Sequence, residues 1–337
     1  MLPRCYNLLS CLFFIATPAL ANDSTAELET GGLVLLKSSD IEMLSEDLFI
    51  STQEIKIHYV FRNNSTTDVA TVIAFPMPRI STNNPGETLE IPNEDSDNFL
   101  DFSTSVNGRP IPVRAELRAY EDDREITAIL KAAGIPLAPY RQKTQKALDR
   151  LNATKKREFI NNKLVEVEDW DRGNGMPSHL TSRWSLATTY YFNQLFPAGK
   201  ETTIDHKYRP SVATRNVTSI GDPKEISSSW IKEEQEKYCV DATFLNAVKA
   251  APKRYMEYGS PFTEQRISYI LHTGSNWARP ISNFHLVIDK GSPDNLISFC
   301  GDGVTKSGPT LVEIRKSNYT PKSDINILIL KPFPRTP

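Results

Sequence analysis

In EIKIHYVF, residues 54–61, Ile55, Ile57, Tyr59 and Phe61 alternate with Lys56, His58 and Val60. A period of two sends the first set to one face of an extended chain, as a half-buried strand requires. GGLVLLKS and IEMLSEDLFIS precede it, and VATVIAF follows a polar turn and stops at Pro76 and Pro78, neither of which can donate to a sheet ladder. FSTSVNGRPIPVRAELRAY resumes the alternation around Asn107-Gly108, a pair that favours a hairpin turn. Farther on, WSLATTYYF, ETTIDHKY, QRISYILH, NFHLVID, NLISFC, LVEIRK and INILIL are separated by AGK, TGSN, DKGSPDN and GDG. Strands spaced in this way predict a sandwich or barrel. Asp40, Glu42, Glu46 and Asp47 in and before IEMLSEDLFIS suit an edge strand, where charge limits edge-to-edge association.

The period changes near residue 122. DDREITAILKAAG places Ile126, Ile129, Leu130 and Ala133 on one helical stripe that Gly134 and Pro136 end. A second helix is expected from about Pro139, with Tyr140, Thr144, Ala147, Leu148 and Leu151 along one side and basic residues on a solvated outer face. SWIKEEQEKYCVDATFLNAVKAAPKR predicts a further helical excursion near 230–255. The expected class is therefore mainly β, two β-sandwich-like units with a helical segment between them: 22–120, a helical insert at 121–169, and 170–337.

The opening MLPRCYNLLSCLFFIATPALANDS has a positive start, an apolar run at 8–16 and the small-x-small Ala19-Leu20-Ala21. This predicts a signal peptide, 1–21, and a mature chain beginning at Asn22. The apolar run is shorter than the roughly 20 residues of a spanning helix. Cys5 and Cys11 leave with the leader, so Cys239 and Cys300 remain as an even pair in an oxidising compartment. Joining them closes a loop of about 60 residues, which the loop-entropy relation values at roughly 4 kcal/mol. The alternative is two unrelated buried thiols. Without Arg4 the formal charge moves from -2 to -3, which gives no general attraction for nucleic acid.

Reactive groups look dispersed. The five histidines, His58, His179, His206, His272 and His285, come no nearer than 13 positions, and no HExxH, GxSxG or GxxxxGK[ST] motif occurs. Asp205 and His206 are adjacent, yet neighbours in a strand point to opposite faces, and His206 shares its face with Ile204 and Tyr208. His272 precedes the turn-rich TGSNWARP, which makes His272, Trp277 and Arg279 the candidate ligand or partner contacts. The acidic stretch at 87–97 reads as an exposed loop without EF-hand spacing, and its calcium binding stays open. No residue is assigned to catalysis, a cofactor or a metal.

ALANDSTAELETGGLVL, IEMLSEDLFIS, FRNNSTTDVATVIAFPMP and YYFNQLFPAGKETTIDHKYRP together resemble the secreted proteobacterial family of domain of unknown function 4424 (DUF4424), from about Asn22 to Pro332. That resemblance implies a periplasmic or secreted protein and favours the Cys239 to Cys300 bridge. It supplies no activity and no catalytic residue. FRNNSTTDVATVIAFPMP followed by VNGRPI is also similar, over few residues, to the vault inter-alpha-trypsin β-domain, and likeness of fold assigns no function. The expectation is a non-catalytic binding or envelope-structural protein whose partner is an envelope protein or glycan. The alternative is a hydrolase of an envelope polymer using paired carboxylates.

Overall fold

The computed structural model describes residues 24–29, 32–84, 86–169, 178–222, 228–251 and 260–333. The expected leader, 1–21, and Trp170 lie outside the described residues. The fold is mainly β. A six-stranded sheet runs β10 (Arg124–Glu125), β9 (Arg114–Glu121), β13 (Ser185–Phe196), β5 (Val69–Pro76), β1 (Ser24–Glu29), β2 (Gly32–Leu36). An eight-stranded sheet runs β19 (Thr305–Lys306), β20 (Leu311–Tyr319), β17 (Ile281–Asp289), β3 (Ile41–Ile50), β4 (Ile55–Asn63), β14 (Glu201–Tyr208), β7 (Ser103–Val106), β8 (Arg109–Ile111). A five-stranded sheet runs β18 (Leu296–Phe299), β21 (Ile325–Pro332), β16 (Phe262–Tyr269), β15 (Val212–Arg215), β6 (Thr88–Glu90). β11 (Val165–Asp169) and β12 (Ser178–Ser182) pair as a separate ribbon.

The sheets are not divided along the chain at 120 and 170. β13 lies between β5 and β9, β14 between β4 and β7, and β17 runs parallel to β3. The boundary at 170 falls between β11 and β12, which pair with each other. The edge-strand expectation for β3 is corrected: the charged strand is central, with β4 on one side and β17 on the other. Its charges do not guard an edge, because a strand from the C-terminal part of the chain covers that side.

The core fills the space behind the eight-stranded sheet. Ile55, Ile57, Tyr59 and Phe61 of β4 are all at most 2% exposed, and Ile204, Leu286, Ile288, Phe75 and Ile327 join them in one cluster. Burial on this scale, at about 25 cal/mol per Å² of apolar surface, is the main force holding the layers together. β3 carries a bulge between Met43 and Ser45. Ile41 and Met43 are buried before it; Glu46, Leu48 and Ile50 are buried after it. One extra residue has exchanged the two faces of the strand, which turns Asp47 outward.

Other local expectations hold with adjustments. Asn107 and Gly108, with φ of 49° and 74°, make the hairpin between β7 and β8, both in the left-handed region that this turn demands. α1 (Thr127–Ala132) buries Leu130, whereas Ile129, expected on the same stripe, is 40% exposed. α2 (Gln142–Asp149) buries Thr144 and Leu148, and a third helix, α3 (Ala153–Asn161), follows it, capped by Asn152. These helices pack with Leu164 and Leu180 around Trp184, whose Nε1 donates to Leu137 O at 2.8 Å. α4 (Ser229–Lys237) and α5 (Ala242–Lys249) cover Leu328 and Leu330 of β21. Cys239, just after α4, is joined to Cys300, just after β18, at an S–S distance of 2.08 Å.

Side chains also tie β2 to β9. Leu33 N donates to Glu116 Oε1 at 3.0 Å, Arg118 Nη2 donates to Leu33 O at 3.3 Å, and Glu116 and Arg118 pair with each other at 3.0 Å. Occupying main-chain groups on an edge strand in this way blocks further pairing there.

Candidate functional site

The solvent face of the eight-stranded sheet gathers groups that the sequence scatters. The registers place His285 of β17 opposite Asp47 of β3, Asp47 opposite His58 of β4, His58 opposite Asp205 of β14, and Asp205 opposite Ser105 of β7. These five residues form one row across five neighbouring strands, roughly 19 Å long at the usual strand spacing. The expectation of dispersed reactive groups is therefore corrected. Each residue occupies the outward phase of its strand, and pairing between distant strands aligns them.

The row is hydrogen-bonded along much of its length. His58 Nδ1 lies 2.6 Å from Asp205 Oδ1, and Ser105 Oγ donates to Asp205 Oδ2 at 3.2 Å. An ionised carboxylate only accepts, so the Nδ1 of His58 carries the proton. At the other end His285 Nδ1 is 3.2 Å from Asp47 Oδ1 and its Nε2 is 3.0 Å from Glu313 Oε2. Both partners are acceptors, so only the doubly protonated ring makes both bonds at once. The hydrogen bond from His285 holds the Glu313 carboxyl below the usual carboxylate range, and Arg315, 3.3 Å away, adds to the effect. Side-chain exposures of 45% for His58, 44% for Asp205 and 55% for Asp47 leave the row open to a partner.

A shallow groove of about 600 Å³ runs beside the row, with Phe49, Lys56 and Lys207 on its wall. Lys56 lies 5.7 Å from the Phe49 ring centroid. Glu54 takes both lysines, at 2.5 Å and 3.1 Å, and those bonds hold its carboxyl below the ordinary range. The face therefore offers imidazole, carboxylate, ammonium and one apolar ring within a single surface.

This chemistry suits recognition better than acyl transfer. A nucleophilic triad sets the base between the acid and the hydroxyl. Here Asp205 stands between Ser105 and His58, so the serine proton faces a carboxylate and not the imidazole. Among the described residues no group of three or more His, Cys, Asp or Glu is arranged to hold a metal ion.

The candidates from the sequence fall elsewhere. Trp277 is 5% exposed in the main core, its ring centroid 4.5 Å from that of Phe61. His272 opens a short 3-10 turn and sits 2.5 Å from Asp324, which also accepts from the main chain of Leu271. Arg279 is 72% exposed and reaches Glu42 at 3.6 Å. The three thus share a loop without converging on a common space. His206 is 2% exposed, 5.0 Å from the Phe75 ring and 5.1 Å from that of Phe102, on the face opposite to Asp205. Within the acidic stretch, Glu87 turns inward to Arg215 and Arg266, and Asp97 pairs with Arg141 at 3.2 Å.

A family model described as Domain of unknown function (DUF4424) matches residues 21–328. The chain belongs to this family. In this DUF4424 protein the matched span takes in every strand of the His and carboxylate row. A crystal structure from Legionella pneumophila subsp. pneumophila str. Philadelphia 1, described as that of a candidate nutrient binding protein, is similar at 12% identity and a TM-score of 0.44. The similarity covers 92% of the DUF4424 chain and 70% of that chain, and at this level it assigns no ligand. No curated protein matches the DUF4424 chain. Among the described residues no helix is long and apolar enough to cross a membrane.

Proposed function

We propose that this protein is an exported, non-catalytic binding or envelope-structural module of the periplasm or cell exterior. Its contact surface is the outer face of the eight-stranded sheet, and its partner is an envelope protein or glycan. The observation that carries this reading is the in-register row His285, Asp47, His58, Asp205, Ser105, which lines an open groove. The leader pattern and the bridged Cys239 and Cys300 support the location.

Asp47 and Asp205 also favour a second reading, hydrolysis of an envelope polymer. They stand two strand spacings apart with His58 between them, a separation of roughly 9.6 Å, close to that of an inverting carboxylate pair. Against it, such a pair needs one protonated acid, and Asp205 here accepts from both His58 and Ser105.

Affinity capture from the native envelope, using the mature protein and its His58→Ala/His285→Ala variant, tests the proposal. A stoichiometric partner held by the first and lost by the second supports it. Equal capture by both, or release of cleaved polymer fragments that stops in Asp47→Asn or Asp205→Asn, overturns it.

A further inference from the structure

Away from the sheet face, Thr82 and Asn84 line two adjoining cavities at once, one of about 320 Å³ and one of about 680 Å³. Both sizes fall within the roughly 300–1,000 Å³ of small-molecule sites. The smaller cavity is built on Arg215 and Arg266. Arg266, 7% exposed, pairs with Glu264 at 2.6 Å, Glu234 at 2.7 Å and Glu87 at 2.8 Å, and Arg215 pairs with Glu87 at 3.1 Å. Thr218 donates to the other oxygen of Glu264 at 2.5 Å. The two guanidinium groups are thus held in fixed positions.

That lattice is incomplete. The Nε atoms of Arg215 and Arg266 are buried without a hydrogen-bond partner among the described residues, and so is Nε of Arg183 on the wall of the larger cavity. Buried donors ordinarily have partners, so these enclosed, unmatched atoms leave the guanidinium groups less than fully satisfied by the protein. Lys237, 5.3 Å from the Tyr238 ring centroid, and Arg79 add positive charge to the smaller cavity. Four cations line it with Glu87 and Glu234, while Glu264 and Asp123, outside the lining, pair with Arg266 and Arg79. The larger cavity has the opposite bias, with Glu94, Glu166 and Glu168 against Arg141 and Arg183. Hydroxyls and amides line both: Thr82 and Asn84 are shared, Ser81 is on the smaller cavity, and Asn83 and Gln142 are on the larger.

We propose that this cleft is a second ligand site, distinct from the sheet face, and that it takes an acidic saccharide with its charge at one end. The carboxylate sits against the Arg215 and Lys237 end, where guanidinium offers charge-assisted bonds. The hydroxyls of the sugar meet the hydroxyl and amide side chains of the two cavities, which both donate and accept. The carboxylates of the larger cavity repel a second anionic group, which excludes a polyanion.

Titration calorimetry of the mature protein with a disaccharide bearing one terminal glucuronic acid, its neutral counterpart, and acetate tests the assignment. The acidic disaccharide binds, the neutral one binds at least about tenfold more weakly, and acetate more weakly still. Arg215→Gln and Lys237→Gln each weaken the acidic ligand about tenfold, Gln142→Ala weakens both sugars, and His58→Ala/His285→Ala changes nothing. Circular dichroism confirms that each variant is folded. The proposal fails if the acidic disaccharide does not bind at millimolar concentration or if acetate binds as well. It also fails if the folded cleft variants bind normally, or if the sheet-face variant abolishes binding.

Discussion

His58 and Asp205 are 147 positions apart in the chain, yet Nδ1 of the first lies 2.6 Å from Oδ1 of the second. The contact exists because β4 and β14 pair along eight consecutive residues, with His58 and Asp205 directly opposite on the solvent face. An exposed pair of this kind adds little to stability, typically below about 1 kcal/mol. It is well suited to recognition, where both groups remain reachable.

His58→Ala and Asp205→Asn are therefore expected to fold normally, with urea midpoints that correspond to a loss of less than about 1 kcal/mol. Partner capture should fall in both. A large loss of stability would show the row to be structural.

Trp277→Ala should cost about 3–5 kcal/mol, because it opens a cavity against Phe61 in the core. Arg279→Ala, two residues on and exposed, should change stability by less than about 0.5 kcal/mol. Equilibrium unfolding of the two variants separates a core residue from a surface one.

Cys239→Ala/Cys300→Ala removes the bridge between the end of α4 and the end of β18. The expected cost is about 2–4 kcal/mol, since the unfolded chain regains the freedom of a loop spanning 61 positions. Hydrogen exchange should rise first in α4 and α5, while β3, β4 and β14 stay protected.

Glu54 titrates below its ordinary value of 4.5 because Lys56, then Lys207, favours its charged form. A carboxyl depressed on folding contributes stability that is present above about pH 4.5 and lost as pH falls through its lower folded value. Glu54→Gln should thus be less stable than the parent at pH 7 by at most about 0.5 kcal/mol, given its exposure. The difference should shrink as pH falls below 4.5, as paired denaturation curves at neutral and acid pH will show.

Much of the architecture is legible locally. The alternation in EIKIHYVF names the buried face of β4 correctly, and Asn107-Gly108 marks the hairpin between β7 and β8. Even the β3 bulge has a trace: apolar residues occupy odd positions at Ile41 and Met43 and even ones at Leu48 and Ile50. That change of phase was the available signal that Asp47 and His58 point the same way. Trp277 misleads because its turn-rich neighbours suggest exposure, while its ring is drawn in by Phe61, more than two hundred positions away.

The sequence by itself determined that this chain forms strands and which side of most of them is apolar. Those properties follow from the two-residue repeat of an extended backbone and from residue chemistry, both local. Only the tertiary structure decided that β17 lies parallel beside β3 and that β13 and β14 enter sheets begun by the first hundred residues. Hydrophobic burial rewards any register that closes the core and carries no address for a particular partner strand, so the row from His285 to Ser105 emerges only when the layers pack.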